Sequence, residues 1–234
     1  MAEAPGSLVW SLPEPPGGQQ PNLSRDRIVR AALKIADAEG APAATMRRVA
    51  TALGSSTPMS LYRYVGSKDG LVDLMLDAAC GEVSTPAPSG DWRADLRALA
   101  LANWDMMQRH QWFAELVHTR PPLGPNALRL TDYGLGALSF LDPATAMTYL
   151  GMVNSLTIGT ALQLAEELKM RRRVGLPTDD DLRAAVKPIH DEIVATGRYP
   201  NYNRWAADGG RFHNAAGFPL MLDILLDGLA ARMP

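Results

Sequence analysis

From Ser24 to Cys80 the chain is cut into short pieces by alternating helix caps and helix breakers, and this punctuation limits its fold more than any other feature. Ser24 precedes Ile28, Ala31, Ala32, Ile35 and Ala36, which recur at helical spacing until Gly40 and Pro42 stop the run. Thr45 is the next cap, ahead of a segment with Val49, Ala50 and Leu53 facing inward and Gly54 at its end. The polar turn Ser55-Ser56-Thr57-Pro58 leads into Met59–Val65, which Gly66 breaks. Ser67 then caps a longer helix that runs to Cys80 with Leu71, Leu74, Met75 and Ala78 on one face. Helices this short are not stable alone, so the pieces must pack on one another.

The rest of the chain carries longer helical patterns. Pro86, Pro88, Ser89 and Gly90 form a linker, and Pro121-Pro122-Leu123-Gly124-Pro125 a second break. Between and beyond them the periodicity predicts helices over 91–108, 126–141, 143–173, 179–196 and 214–233. No alternating strand pattern, internal repeat or sustained heptad occurs, so the expected fold is all-α. Residues 1–22, rich in Pro and Gly, read as a flexible tail on which only Val9, Trp10 and Leu12 offer apolar contacts. The expected division is a tail over 1–22, a small domain over 23–72 and a larger one over 73–234.

Composition excludes some classes. A single cysteine, Cys80, rules out an internal disulfide framework and a cysteine-based zinc cluster. No run of about 18 apolar residues is present, so no membrane span is expected. Residues 1–20 lack the charged start and continuous apolar core of a secretory signal, which makes the cytosol the expected location.

Two short helices separated by a tight turn after Gly54 have the layout of a helix-turn-helix, whose last helix enters the DNA major groove. The net charge of −2 argues against nucleic acid only when averaged over the whole chain. Residues 22–68 hold eight Lys and Arg against three Asp and Glu, a net +5, which leaves −7 on everything else. Phosphate binding needs positive charge only at the interface.

The run Thr45-Met46-Arg47-Arg48-Val49-Ala50, then Leu53-Gly54, then Met59 through Leu71 resembles the DNA-binding segment of tetracycline-repressor-type (TetR family) regulators, above all in its Leu61-Tyr62…Val65…Lys68…Leu71 pattern. The likeness covers roughly residues 24–76. More loosely, Arg120–Asn126 and Leu225-Leu226-Asp227-Gly228-Leu229 are similar to regulatory domains of one branch of that family. Gly54 stands eight residues before Tyr62, one more than the family's usual seven, and the extra residue falls among 55–58.

The resemblance implies roles for individual residues. Thr45 and Arg47 would hold a phosphate at the start of the second helix. Met59, Ser60, Tyr62 and Tyr64 would lie on or near the groove-facing side of the third, with Met59 against a thymine methyl, Ser60 on a base or phosphate, and Tyr62 on a phosphate. Lys68 would meet another phosphate at the start of the fourth helix. Leu61 and Val65 are core residues.

A single helix-turn-helix reads only a few base pairs, so a homodimer on double-stranded operator DNA is expected. By resemblance the pairing helices are the long ones near 145–170 and 215–231. Leu150, Leu162, Phe218, Met221, Leu222 and Leu225 are the candidate interface residues, and Gly151 and Gly159 would permit close approach. A pocket for an unidentified, largely apolar small-molecule effector is expected among the middle helices. Its candidates are Trp104, His110 and Asn154, because polar atoms on apolar helices need partners, together with Met107, Trp112 and Met152, because methionine and aromatic side chains suit a largely apolar ligand.

Nothing points to catalysis. His110, His118, His190 and His213 show no metal-ligand spacing, and Gly134-Leu135-Gly136 follows no strand, so neither a metal nor a cofactor is expected. The expected function is a ligand-responsive transcriptional repressor. The competing readings are an all-α adaptor or an enzyme with a helix-turn-helix-like start, and an activator would have the same sequence features. The helix from Ser67 to Cys80, which joins head to body, is the natural lever.

Overall fold

The computed structural model describes residues 9–13, 23–54, 57–118, 120–207 and 217–233. Among them every regular element is helical. The order is α1 (Arg25–Glu39), α2 (Met46–Ala52), α3 (Met59–Val65), α4 (Lys68–Gly81), α5 (Trp92–Arg109), α6 (Trp112–Val117), α7 (Pro125–Ala137), α8 (Pro143–Val174), α9 (Asp179–Ala195), α10 (Pro200–Ala207) and α11 (Phe218–Ala230). The residues expected to start helices do so. The side chains of Ser24, Thr45 and Ser67 accept the backbone N–H groups of Arg27, Arg48 and Gly70, removing one unpaired donor from each helix start.

The head is built on α1. Ile28, Ala32, Val49, Leu61, Val65, Leu71 and Met75 are buried together, so α2 and α3 are held by packing rather than by their own length. Gly54, in the turn after α2, has φ of 68°, a conformation that an L side chain rarely adopts. The body is a second bundle in which α5 packs against α7, α8 and α11, and α4 runs from the head into it against α7. Gly134 allows α7 to approach α8. A Cβ built there would stand 2.6 Å from Leu150 Cδ1.

Three details differ from the periodicity. α6 and α10 are helices the pattern does not single out, being only six and eight residues long. α7 stops at Ala137, four residues early, where Gly134 and Gly136 weaken its last turn. Residues 9–13, read as part of a loose leader, are seated on the head: Val9–Ser11 is a turn of 3-10 helix and Val9 is buried. The remainder of the leader (1–8 and 14–22), residues 214–216 of the last expected helix, and His213 lie outside the described residues. Neither α9 nor α10 buries a residue; Tyr202 of α10 packs its ring against His190 of α9.

Candidate DNA-binding and effector sites

On α3 the two stripes are separated by helical geometry. Leu61, Tyr64 and Val65 stand at i, i+3 and i+4 and face the core, while Met59, Tyr62 and Arg63 form the matching outward stripe. Met59 is 72% exposed and Tyr62 37%, whereas Tyr64 is only 8% exposed. Tyr64 is therefore corrected from a groove-facing residue to a core residue. It sits three positions after Leu61, on the wrong stripe for DNA. Ser60 is half-buried and its hydroxyl donates to the Thr57 carbonyl at 2.8 Å, tying down the start of α3. Thr45, Arg47 and Lys68 are exposed on the same head. Arg48 is paired with Glu39, which holds the Glu39 carboxyl below its usual range.

A cavity of about 200 Å³ lies in the body between α4, α5, α6, α7 and α8. Leu99, Met107, Phe113, Val117, Leu130 and Leu150 give it apolar walls, and Asn103, Thr131, Asn154 and Thr157 add polar groups. Cys80 at the end of α4 and Pro122 in the second break complete one side. Burial, with the Asp77 carboxylate nearby, pushes the Cys80 thiol up to about 12, so this wall is uncharged.

Two of the six expected pocket residues, Met107 and Asn154, line this cavity, and four do not. Trp104 lies one position past Asn103 and is rotated away; its ring stacks on Phe218 with centroids 4.3 Å apart. Trp112 turns its indole to α1, where Nε1 donates to Asp37 Oδ1 at 2.7 Å, and its neighbour Phe113 takes the cavity wall. Met152, two positions from Asn154, faces the opposite side of α8 and is half exposed.

His110 is buried between two carboxylates, with Nδ1 2.7 Å from Asp37 Oδ1 and Nε2 3.0 Å from Glu82 Oε2. It thus joins α1 of the head, the end of α4, and the end of α5. Its partner need was legible, but the partners are carboxylates at the head–body junction rather than a ligand.

α4 is tied to the body at two further levels. Arg120 pairs with Asp73 at 2.5 Å and Asp69 at 3.4 Å. Buried Asp77 accepts from Asn126 N (2.9 Å), Asn126 Nδ2 (2.9 Å) and Ala127 N (3.0 Å), so a side chain of α4 caps α7. Asp37, Asp77, Glu82 and Asn103 were missed from sequence. Asp77 alone carried a signal, since it shares the apolar face of α4 with Leu74 and Cys80.

On the far side of α8 an open apolar groove is lined by Thr148, Gly151, Met152, Ser155, Leu156, Met221, Ile224 and Leu225. Ile224 and Leu220 are 63% and 65% exposed, and Gly151, Gly159 and Gly228 have open space where a Cβ would stand. Of the expected interface residues, Met221 and Leu225 lie here, and Leu162 is half-buried against the core. Leu150, Phe218 and Leu222 are corrected to residues of the protomer's own core. Leu150 faces the cavity, and Phe218 and Leu222 face inward from α11 four residues apart. α11 is held to α5 by Arg97 paired with Asp223 at 2.8 Å and Arg93 with Asp227 at 2.6 Å.

Residues 85–233 match the family profile described as Tetracyclin repressor-like, C-terminal domain. The chain is 37% identical over 230 residues to the HTH-type transcriptional repressor DrrR1 of Streptomyces coeruleorubidus, covering 95% of this chain and 83% of that protein. Apo ActR of Streptomyces coelicolor has a TM-score of 0.75 at 27% identity, covering 90% of this chain and 96% of that one. ActR in complex with actinorhodin gives a TM-score of 0.75 at 28% identity, with 89% and 96% covered.

Proposed function

The chain belongs to the tetracycline-repressor family, and from that premise we propose that it is a homodimeric repressor released from its operator when a small, largely apolar molecule fills the cavity between α4 and α8. The observation that carries the reading is that the lever and the pocket share a helix. α4 begins at Lys68, three residues after α3 ends, and in its last turn carries Cys80 in the cavity wall.

In the operator-bound state Thr45, Arg47 and Lys68 hold phosphates, while Met59 and Tyr62 face the groove. The groove on α8 and α11 is covered by the same face of a second copy, which sets two α3 helices about one turn of DNA, roughly 34–36 Å, apart. Close approach there uses Gly151 and Gly159.

The cavity is smaller than the roughly 300–1,000 Å³ of pockets that enclose drug-sized ligands. A ligand of that size therefore fits only by displacing walls, and two of those walls are the parts joined to the head. Cys80 moves α4; Phe113 and Val117 move α6, whose first residue, Trp112, is bonded to Asp37 of α1. The ligand shifts the dimer by no more than its preference for the displaced state, which in such systems amounts to about 1–3 kcal/mol of coupling. That ActR was solved in complex with actinorhodin supports a cavity of this kind as an effector site.

The test uses a duplex that the full chain selects from a randomised pool, titrated with actinorhodin as the first probe. Binding of the probe with loss of the duplex and no loss of dimer is the expected result. Probe-bound dimers with unchanged affinity for the duplex overturn the mechanism, and a chain that selects no duplex overturns the function.

A further inference from the structure

Residues 9–13 and Arg25 serve no part of the function described above, yet they converge on the end of α3. The turn Val9–Ser11 is closed by Leu12 N donating to Val9 O at 3.2 Å. Val9 is 3% exposed, and Trp10 and Leu12 pack against the same core. A Cβ built on Gly70 of α4 would stand 3.3 Å from Val9 Cβ, and one built on Gly66, the residue that ends α3, would stand 2.7 Å from Leu12 Cδ1. The segment therefore lies over the corner between α3 and α4.

Arg25, the first residue of α1, bridges the two. Its Nε donates to the Tyr64 carbonyl at 2.9 Å and its Nη2 to the Leu12 carbonyl at 2.9 Å. Tyr64 O is among the last four carbonyls of α3, which have no acceptor role inside the helix, and a cation there also complements the helix dipole. α3 spans only seven residues, and among the described residues no side chain caps its start, so contacts from other elements help to decide how it sits.

Resting on the DNA-binding reading, we propose that Val9–Pro13 and Arg25 form a brace that positions the recognition helix α3, making the leader a working part of the DNA-binding head. Arg25 is a positioning residue in this scheme and not a phosphate ligand. The leader acts through position alone, because residues 1–24 contain no Lys or Arg and two Glu, a composition unsuited to an arm that tracks phosphates.

The experiment uses the full chain carrying Val9→Asp, Val9→Ala, Arg25→Ala or Arg25→Lys. Each is measured against the duplex selected by the wild-type chain and against an unrelated duplex of equal length, across a salt series. Val9→Asp and Arg25→Ala each weaken the selected duplex about tenfold, because each removes the same brace on α3. The unrelated duplex and the salt slope stay unchanged. Arg25→Lys, which reaches one carbonyl but not both, recovers part of the loss. The combination of Val9→Asp with Arg25→Ala is no weaker than the worse single variant, because both remove one brace.

Hydrogen exchange gives the second readout, with amides at the end of α3 exchanging faster in every variant and those of α5 and α8 unchanged. Should Val9→Asp unfold the head, Val9→Ala with the exchange measurement decides. Wild-type affinity in Val9→Asp, unchanged exchange in α3, or an Arg25→Ala loss accompanied by a salt slope lower by about 0.9 overturns the brace. If the wild-type chain selects no duplex, the DNA-binding reading fails, and exchange in α3 still decides the brace.

Discussion

Asp77→Ala is the most direct test of how the lever is fastened. The carboxylate belongs to α4 but accepts three hydrogen bonds at the start of α7, two from backbone N–H groups and one from the Asn126 amide. Truncation takes this partner from all three donors, one on buried Ala127 and two on half-buried Asn126. A hydrogen bond to a charged group contributes about 1.5–3 kcal/mol, and the relief of burying the carboxylate offsets part of the sum. A net loss of about 3 kcal/mol follows, a value typical of removing one member of a buried charged cluster. For a chain of this size each kcal/mol shifts Tm by about 2–4 °C, so the melt falls by about 6–12 °C. Asp77→Asn keeps one acceptor oxygen and loses about half as much. Scanning calorimetry checks this at fixed protein concentration, since the proposed dimer would make Tm concentration-dependent. Gly124→Ala reaches the same cap from the other side: its Cβ would stand 2.2 Å from Asp77 Oδ1 and 2.6 Å from Asp77 Cβ. If Asp77→Ala melts within about 2 °C of the wild type, the carboxylate does not fasten α4 to α7.

Other outcomes follow from the same geometry. Lys68→Ala should weaken every duplex alike and lower the salt slope by about 0.9, read by anisotropy; an unchanged slope removes Lys68 from the phosphate contacts. Ile224→Asp should yield monomers in sedimentation while leaving the protomer's helical spectrum intact, because Ile224 is exposed in the groove of α8 and α11; a stable dimer would place the interface elsewhere. The Arg97 hydrogen bond, helped by the charges of Arg97 and Arg93, holds Asp223 below the usual carboxylate range. Its contribution to stability is therefore present at neutral pH and is lost as pH falls below that range through the lowered native value. Asp223→Asn should flatten the acid limb of a melt-versus-pH curve, and an unaltered limb would count against the pair. Cys80, raised to about 12 by burial, should resist alkylation at pH 8 in the native chain and react on unfolding, as read by mass spectrometry; rapid native labelling would show that the cavity wall is open.

The head was largely legible because its signals are local. Caps, breakers and a hydrophobic stripe act over four residues, so Ser24, Thr45 and Ser67 could be placed without knowing what the helices pack against. Tyr64 shows the limit: the spacing that makes Leu61 and Val65 core also makes Tyr64 core, and a motif read residue by residue obscured it. The cavity was less legible. A tryptophan or histidine on a helix announces that it needs a partner, but neither says from which element the partner comes. Trp104 finds Phe218 across 114 positions, and His110 finds Asp37 across 73.

By itself, the sequence determined an all-α chain with a basic head of helix-turn-helix layout on an acidic body, since periodicity, capping and local charge are written in neighbouring residues. Tertiary structure alone decided which faces meet. It seated Val9 against α4, gave Asp77 to α7, turned Trp112 to α1 and left Ile224 outside. Those choices depend on the angle at which each helix crosses the next, and one position along a helix turns a side chain by about 100°.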